Sequence, residues 1–188
     1  MAVTVLDDKA ALVVIDLQKG IAAFPVLRPL DEVAGQINLL AAAFRKRGFP
    51  VIHVVAEGSS PGRTDAPVRH MERAGDFAEL IPSLDVLPGD HRMTKHARGA
   101  FSGTDLEALL RDEKVTQLFV TGVATSNGVE STARQAFELG FNVVLPTDAM
   151  TDANAEAETY SLTRIFPKMA ETGTVASILE LFANGATA

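Results

Sequence analysis

Apolar positions along the chain fall into short continuous runs, set apart by longer stretches with helical spacing. Ala11-Leu-Val-Val-Ile-Asp16 is apolar up to its last residue and rich in β-branched side chains. Such a run fits a strand buried on both faces, as in a parallel sheet. Val51-Ile-His-Val-Val55, Thr116 to Thr121 and Asn142-Val-Val-Leu-Pro146 repeat the pattern. His91-Arg-Met-Thr-Lys95 is a weaker strand, and Thr172-Gly-Thr-Val175 a short last one. Asp31 to Arg47 places Val33, Ile37, Leu40 and Phe44 at helical spacing, with Asp31 as N-cap and Gly48 as the stop. Further helices are predicted from Thr104, over Asn127 to Gly140, over Ala153 to Lys168 and over Ala176 to Phe182. Leu17 to Pro25 reads as loop, and Phe77 to Ile81 as a short helix or turn. Alternating strands and helices predict an α/β domain with a mostly parallel sheet and helices on both faces. The 188 residues fit a single domain, 1–188. One connection, 56–76, is long for a compact domain and marks a candidate lid or subunit contact.

In such a fold the ligand sits outside the carboxyl ends of the strands. Those ends hold Asp16, Lys95 and the turn after Leu118-Phe-Val-Thr121, which carries Gly122, Thr125, Ser126, Asn127 and Gly128. They are an acid, a base and a set of backbone N–H donors. A strand that feeds a small-residue turn opening a helix makes a natural cradle for an anion. Each residue also has a plainer reading. Asp16 caps the following loop, Lys95 is a solvated strand end, and Ser126 caps a helix rather than acting as a nucleophile.

Composition narrows the partners. The net charge of −7 disfavours nucleic acid and anionic membranes. The absence of cysteine removes disulfides, thiolate metal sites and a cysteine nucleophile together. No signal-like start and no run of membrane-spanning length is present, so a cytoplasmic protein is expected. His53, His70, His91 and His96 lack metal-ligand spacing, and neither metal nor other cofactor is expected.

Three stretches in this order resemble the isochorismatase-like hydrolases: Val13-Val-Ile-Asp-Leu-Gln18, Thr94-Lys-His-Ala-Arg-Gly-Ala-Phe-Ser-Gly-Thr-Asp105 and Thr121-Gly-Val-Ala-Thr-Ser-Asn-Gly-Val-Glu-Ser-Thr-Ala-Arg134. Pro146-Thr-Asp-Ala-Met-Thr-Asp152 also fits. The resemblance implies a three-layer fold on a six-stranded sheet, a small-molecule substrate and a homo-oligomer. Most members use an Asp, Lys and Cys triad, which carries over to Asp16, Lys95 and Gly128. Gly128 departs from the amidase members and is similar to the true isochorismatases, which carry Gly there. The backbone of Ala124, joined to Val123 by a cis peptide in this family, and that of Gly128 would supply oxyanion-type donors. Gln18, Arg98, Val123, Ala124, Thr125 and Asn127 are the implied substrate contacts. Metal-binding relatives use an Asp and two His close together, a cluster not seen in this sequence. Three functions stay open: acid-assisted vinyl-ether hydrolysis through Asp16 and Lys95, amide or imide hydrolysis by activated water, and binding without turnover.

Overall fold

In the computed structural model, which describes residues 3–58, 62–65 and 75–184, the apolar runs form one parallel sheet. Its strands are β1 (Ala10–Ile15), β2 (Val51–Ala56), β3 (His91–Lys95), β4 (Gln117–Val123), β5 (Asn142–Pro146), β6 (Met150–Thr151) and β7 (Glu171–Gly173). The order is β3-β2-β1-β4-β5-β7, with β6 paired to the end of β4. Every strand pairing in the sheet is parallel. β6 is the strand the pattern missed: two residues are too few to show periodicity.

The helices are α1 (Lys19–Ala22), α2 (Leu30–Lys46), α3 (Leu106–Asp112), α4 (Glu130–Glu138), α5 (Ala155–Tyr160) and α6 (Val175–Asn184). α1 replaces part of the loop expected over 17–25. Pro29, not Asp31, is the N-cap of α2. Asp31 falls in the first turn, where a carboxylate is favoured by the helix dipole, and accepts a hydrogen bond from Ser83 Oγ at 2.6 Å. The helix expected over 127–140 begins with a π turn, Thr125–Val129. The one expected over 153–168 divides into α5, a second π turn (Ser161–Ile165) and a 3₁₀ turn (Phe166–Lys168) carrying Pro167. π turns recur at functional sites, and the first of these lies at the carboxyl end of β4.

Strand alternation splits the core in two. Leu12 and Val14 of β1 pack with Val33, Ile37, Leu40 and Phe44 of α2 and Ile178 of α6. Val13 and Ile15 pack on the other face with Leu106 and Leu110 of α3 and Ala133 and Ala136 of α4. Both faces are therefore covered, which is why the strands read as unbroken apolar runs. Among the described residues no helix is long and apolar enough to cross a membrane.

A buried polar cluster ties α2 to the sheet. The Asp90 carboxylate accepts from Arg45 Nε and Nη2 at 2.9 and 2.6 Å and from Leu87 N–H at 2.9 Å. His53 Nε2 stands 3.0 Å from the same carboxylate, and its buried Nδ1 meets no partner among the described residues. Burial pushes the Asp90 carboxyl up. The hydrogen bonds from Arg45, Leu87 N–H and His53 outweigh it and hold the carboxyl at about 2. Burial lowers the His53 pKa, against the pull of Asp90. A carboxyl held below its unfolded value stabilises the fold above pH ~4, and that contribution is lost as pH falls through about 2. Asp90→Asn is expected to destabilise the protein by about 2–3 kcal/mol at pH 7, read by urea unfolding. The deficit relative to wild type should shrink as the pH is lowered towards 2.

Candidate active site

β1 lies between β2 and β4, so the chain reverses its winding at the β1–β4 boundary and opens a crevice at their carboxyl ends. Asp16 follows β1 directly and holds a left-handed backbone, φ +57°. Asp visits that region more readily than bulkier side chains. Lys95 ends β3, two strands away, and reaches across the end of β2 to Asp16 Oδ2 at 2.9 Å. Its ammonium also donates to the carbonyls of Ala97 (3.2 Å) and Arg98 (3.0 Å), so each of its N–H groups has an acceptor.

Asp16 Oδ1 is buried and has no partner among the described residues. Burial raises the Asp16 carboxyl, the charge and hydrogen bond of Lys95 lower it, and the net result is about 6. Desolvation therefore wins over the adjacent cation.

The turn after β4 sets the other side. Gly122 has φ +111°, and a Cβ there would lie 2.1 Å from the carbonyl oxygen of Ile15, so the close approach of β4 to β1 admits glycine alone. The Val123–Ala124 peptide is cis. Asn127 and Val129 N–H groups both donate to the Ala124 carbonyl. Gly128 is buried, and a Cβ built on it would stand 3.3 Å from Asp16 Oδ2, 3.1 Å from the Val123 carbonyl and 3.0 Å from Ile15 Cγ2. A side chain at 128 would thus stand against the Asp16 carboxylate, and glycine keeps that space open.

These groups share a cavity of about 420 Å³. Asp16, Lys95, Arg98 and Asn127 are its polar side, Val123, Ala124 and Gly128 line it from the turn, and Ile21, Phe24 and Val26 form an apolar wall. Two expected contacts are corrected. Gln18 is fully buried and does not line the cavity, because its amide is spent on the backbone. It donates to the carbonyls of Ala56 and Phe77, each at 3.0 Å, and accepts from Ala56 N–H at 2.7 Å. Thr125 is likewise buried and turns its hydroxyl to Glu158 at 3.2 Å. Ser126 lies inside the π turn and does not cap it, contrary to its plainer reading: it donates its hydroxyl to Asp152 at 2.7 Å. Of the expected lid, Gly58 lines the cavity, while 59–61 and 66–74, His70 among them, lie outside the described residues. The apolar wall was not foreseen: Ile21, Phe24 and Val26 sit in a stretch too short and irregular for a pattern to emerge. Asp152 was also missed, although it closes one of the matching stretches.

The model of the isochorismatase domain matches residues 10–177. The chain belongs to the isochorismatase family. It is a hydrolase of that family, and its relatives agree. YwoC, an isochorismatase family protein of Bacillus subtilis, is 39% identical over 184 residues, covering 92% of this chain and 93% of that protein. Streptothricin hydrolase of Streptomyces noursei is 40% identical over 144 residues, covering 74% of this chain and 48% of that protein. A solved isochorismatase family protein from Burkholderia thailandensis superposes with a TM-score of 0.92 at 38% identity, over 97% of this chain and 100% of that one. The isochorismatase fold thus extends over nearly all of the residues that build the cavity.

Proposed function

We propose that this isochorismatase-family hydrolase cleaves an enolpyruvyl (vinyl) ether, releasing pyruvate and an alcohol, with Asp16 as the general acid. The observation that carries the reading is the state of Asp16. It has a pKa of about 6 and a buried oxygen with no partner among the described residues, and it borders a cavity with no nucleophilic side chain at position 128. At pH 7 about a tenth of such a carboxyl is protonated, against roughly one in a thousand for an ordinary aspartate.

The Asp16 proton passes to the methylene carbon of the substrate, the carbon–carbon double bond supplies the electrons, and an oxocarbenium ion forms. Water adds to the cationic carbon and gives a proton back to the Asp16 carboxylate. The hemiketal then breaks its bond to the ether oxygen. That oxygen leaves as the alcohol with the hemiketal proton, and the carbonyl of pyruvate forms. No covalent enzyme intermediate is needed, which suits glycine at 128. Lys95 holds the Asp16 carboxyl through Oδ2 at the edge of the cavity. Arg98 and Asn127 face the cavity as partners for a substrate carboxylate, and the Ile21, Phe24 and Val26 wall suits an apolar ring.

A second reading has Asp16 as a base that activates water for attack on an amide. The kinship with streptothricin hydrolase and with the N-carbamoylsarcosine amidase of Thermoplasma acidophilum, at 25% identity and a TM-score of 0.72, favours it. The pH dependence of kcat separates the two, since an acid must be protonated and a base must not. With isochorismate as substrate and pyruvate measured, kcat is expected to be level at low pH and to fall tenfold per unit above about 6. A kcat that rises through that pH, or turnover of amides alone, would replace the first reading by the second.

A further inference from the structure

The segment that begins with β6 grips both sides of the cavity without lining its polar side. Asp152, directly after β6, is 4% exposed. Its Oδ2 accepts from the backbone N–H and from the hydroxyl of Ser126, each at 2.7 Å, and its Oδ1 accepts from Asn154 N–H at 3.0 Å. β6 itself pairs with Gly122 and Val123, the two residues ahead of the turn. Four residues into α5, Glu158 accepts from Thr125, the first residue of the π turn. The same segment holds the opposite wall. The Asp152 carbonyl accepts from Leu27 N–H at 2.8 Å and Thr151 Oγ1 from Arg28 N–H at 2.9 Å, while the Arg28 guanidinium donates to the Met150 carbonyl. Leu27 and Arg28 directly follow Val26 of the apolar wall.

A carboxylate at the head of a helical turn is held by charge-assisted bonds and by the dipole of the turn. Asp152 is not among the described residues that line the cavity. From this arrangement we infer that Asp152 is a positioning residue, whose carboxylate fixes the turn residues Ala124, Asn127 and Gly128 against Asp16. The inference rests on the proposed reading of the cavity as the catalytic site. A residue that only capped the helix would affect stability and leave the rate of the bound substrate alone.

The test uses the full chain with Asp152→Asn and Ser126→Ala. Asparagine keeps the shape and one acceptor but loses the charge. Turnover of isochorismate is followed by pyruvate release, and the backbone amides of the turn by ¹H–¹⁵N NMR. Asp152→Asn is expected to lower kcat by about 10- to 100-fold with KM within about threefold, the size of effect that small misplacements of reacting groups produce. The pH midpoint should stay near 6, because Lys95 still holds the Asp16 carboxylate. The amide signals of Ala124, Asn127 and Gly128 should move while those of α2 and α3 do not. Ser126→Ala, which removes one of the three hydrogen bonds that the Asp152 carboxylate accepts, should show the same changes at smaller size. A wild-type kcat in Asp152→Asn, or amide changes spread evenly over the molecule, would overturn the assignment. If Asp152→Asn does not fold, Ser126→Ala decides on the same criteria. If the wild-type protein does not turn over isochorismate, the vinyl-ether reading fails. The NMR arm then still decides on Asp152: changes confined to the turn uphold it, and unmoved turn signals overturn it.

Discussion

Asp16→Asn is expected to lower pyruvate release from isochorismate by about a thousandfold or more, within the range that a positioned general acid contributes. The fold should survive the change. Asparagine is nearly isosteric and its carbonyl can still accept from Lys95 Nζ, which also keeps the carbonyls of Ala97 and Arg98. The linkage points the same way. The folded Asp16 carboxyl lies at about 6, above its unfolded value of 3.8, so its contribution to stability is full below that lower pH and is lost as pH rises through about 6. At pH 8 the ionised carboxylate therefore weighs against the folded state, and a neutral asparagine does not. Thermal unfolding at pH 8 should show the variant at least as stable as wild type. Turnover retained within tenfold would sink Asp16 as the acid. A midpoint lowered by about 10 °C or more would show that the carboxylate is needed to hold Lys95 in place.

Gly122→Ala should give the largest loss of stability of any single methyl group placed near the cavity. Two independent terms add. The backbone, at φ +111°, is one that side-chain-bearing residues rarely adopt, and the new methyl would meet the Ile15 carbonyl at 2.1 Å. The obstacle is backbone of the central strand, which cannot swing aside as a side chain would. Strain and overpacking of this kind together amount to about 3–5 kcal/mol. For a chain of 188 residues that corresponds to a melting point lower by about 10–15 °C. Calorimetry on the purified variant checks it. A drop of less than about 3 °C would mean that β1 and β4 can part at little cost, and that the cavity floor is softer than the contacts imply.

The sequence revealed those parts of the molecule whose environment is uniform over several residues. β1, β2 and β4 are buried along their whole length or nearly so, and their short, mostly apolar runs announce them. Asp16 and Lys95 were legible because each ends a strand, and parallel strands bring their carboxyl ends to one edge. What that rule cannot tell is distance. That Lys95 passes over β2 to reach Oδ2 depends on the strand order β3-β2-β1, and no local pattern carries it. Gln18 shows the same gap. A polar residue just beyond a strand looks solvated, yet its amide is fully inside, matched to backbone groups 38 and 59 residues away. Asp152 finds its partner Ser126 across 26 residues of chain. The π turn at 125–129 adds a residue to the helical register, so a helix read from spacing alone starts in the wrong place.

Gly128 has a further consequence, for the protein's dealings with its chemical surroundings. Among the described residues no methionine lines the cavity, and the chain contains no cysteine at all. Carboxylate, ammonium, guanidinium and amide groups stand off the ladder of sulfur oxidation states. A hydrolase built this way has no thiol for peroxide to convert or for an alkylating agent to block.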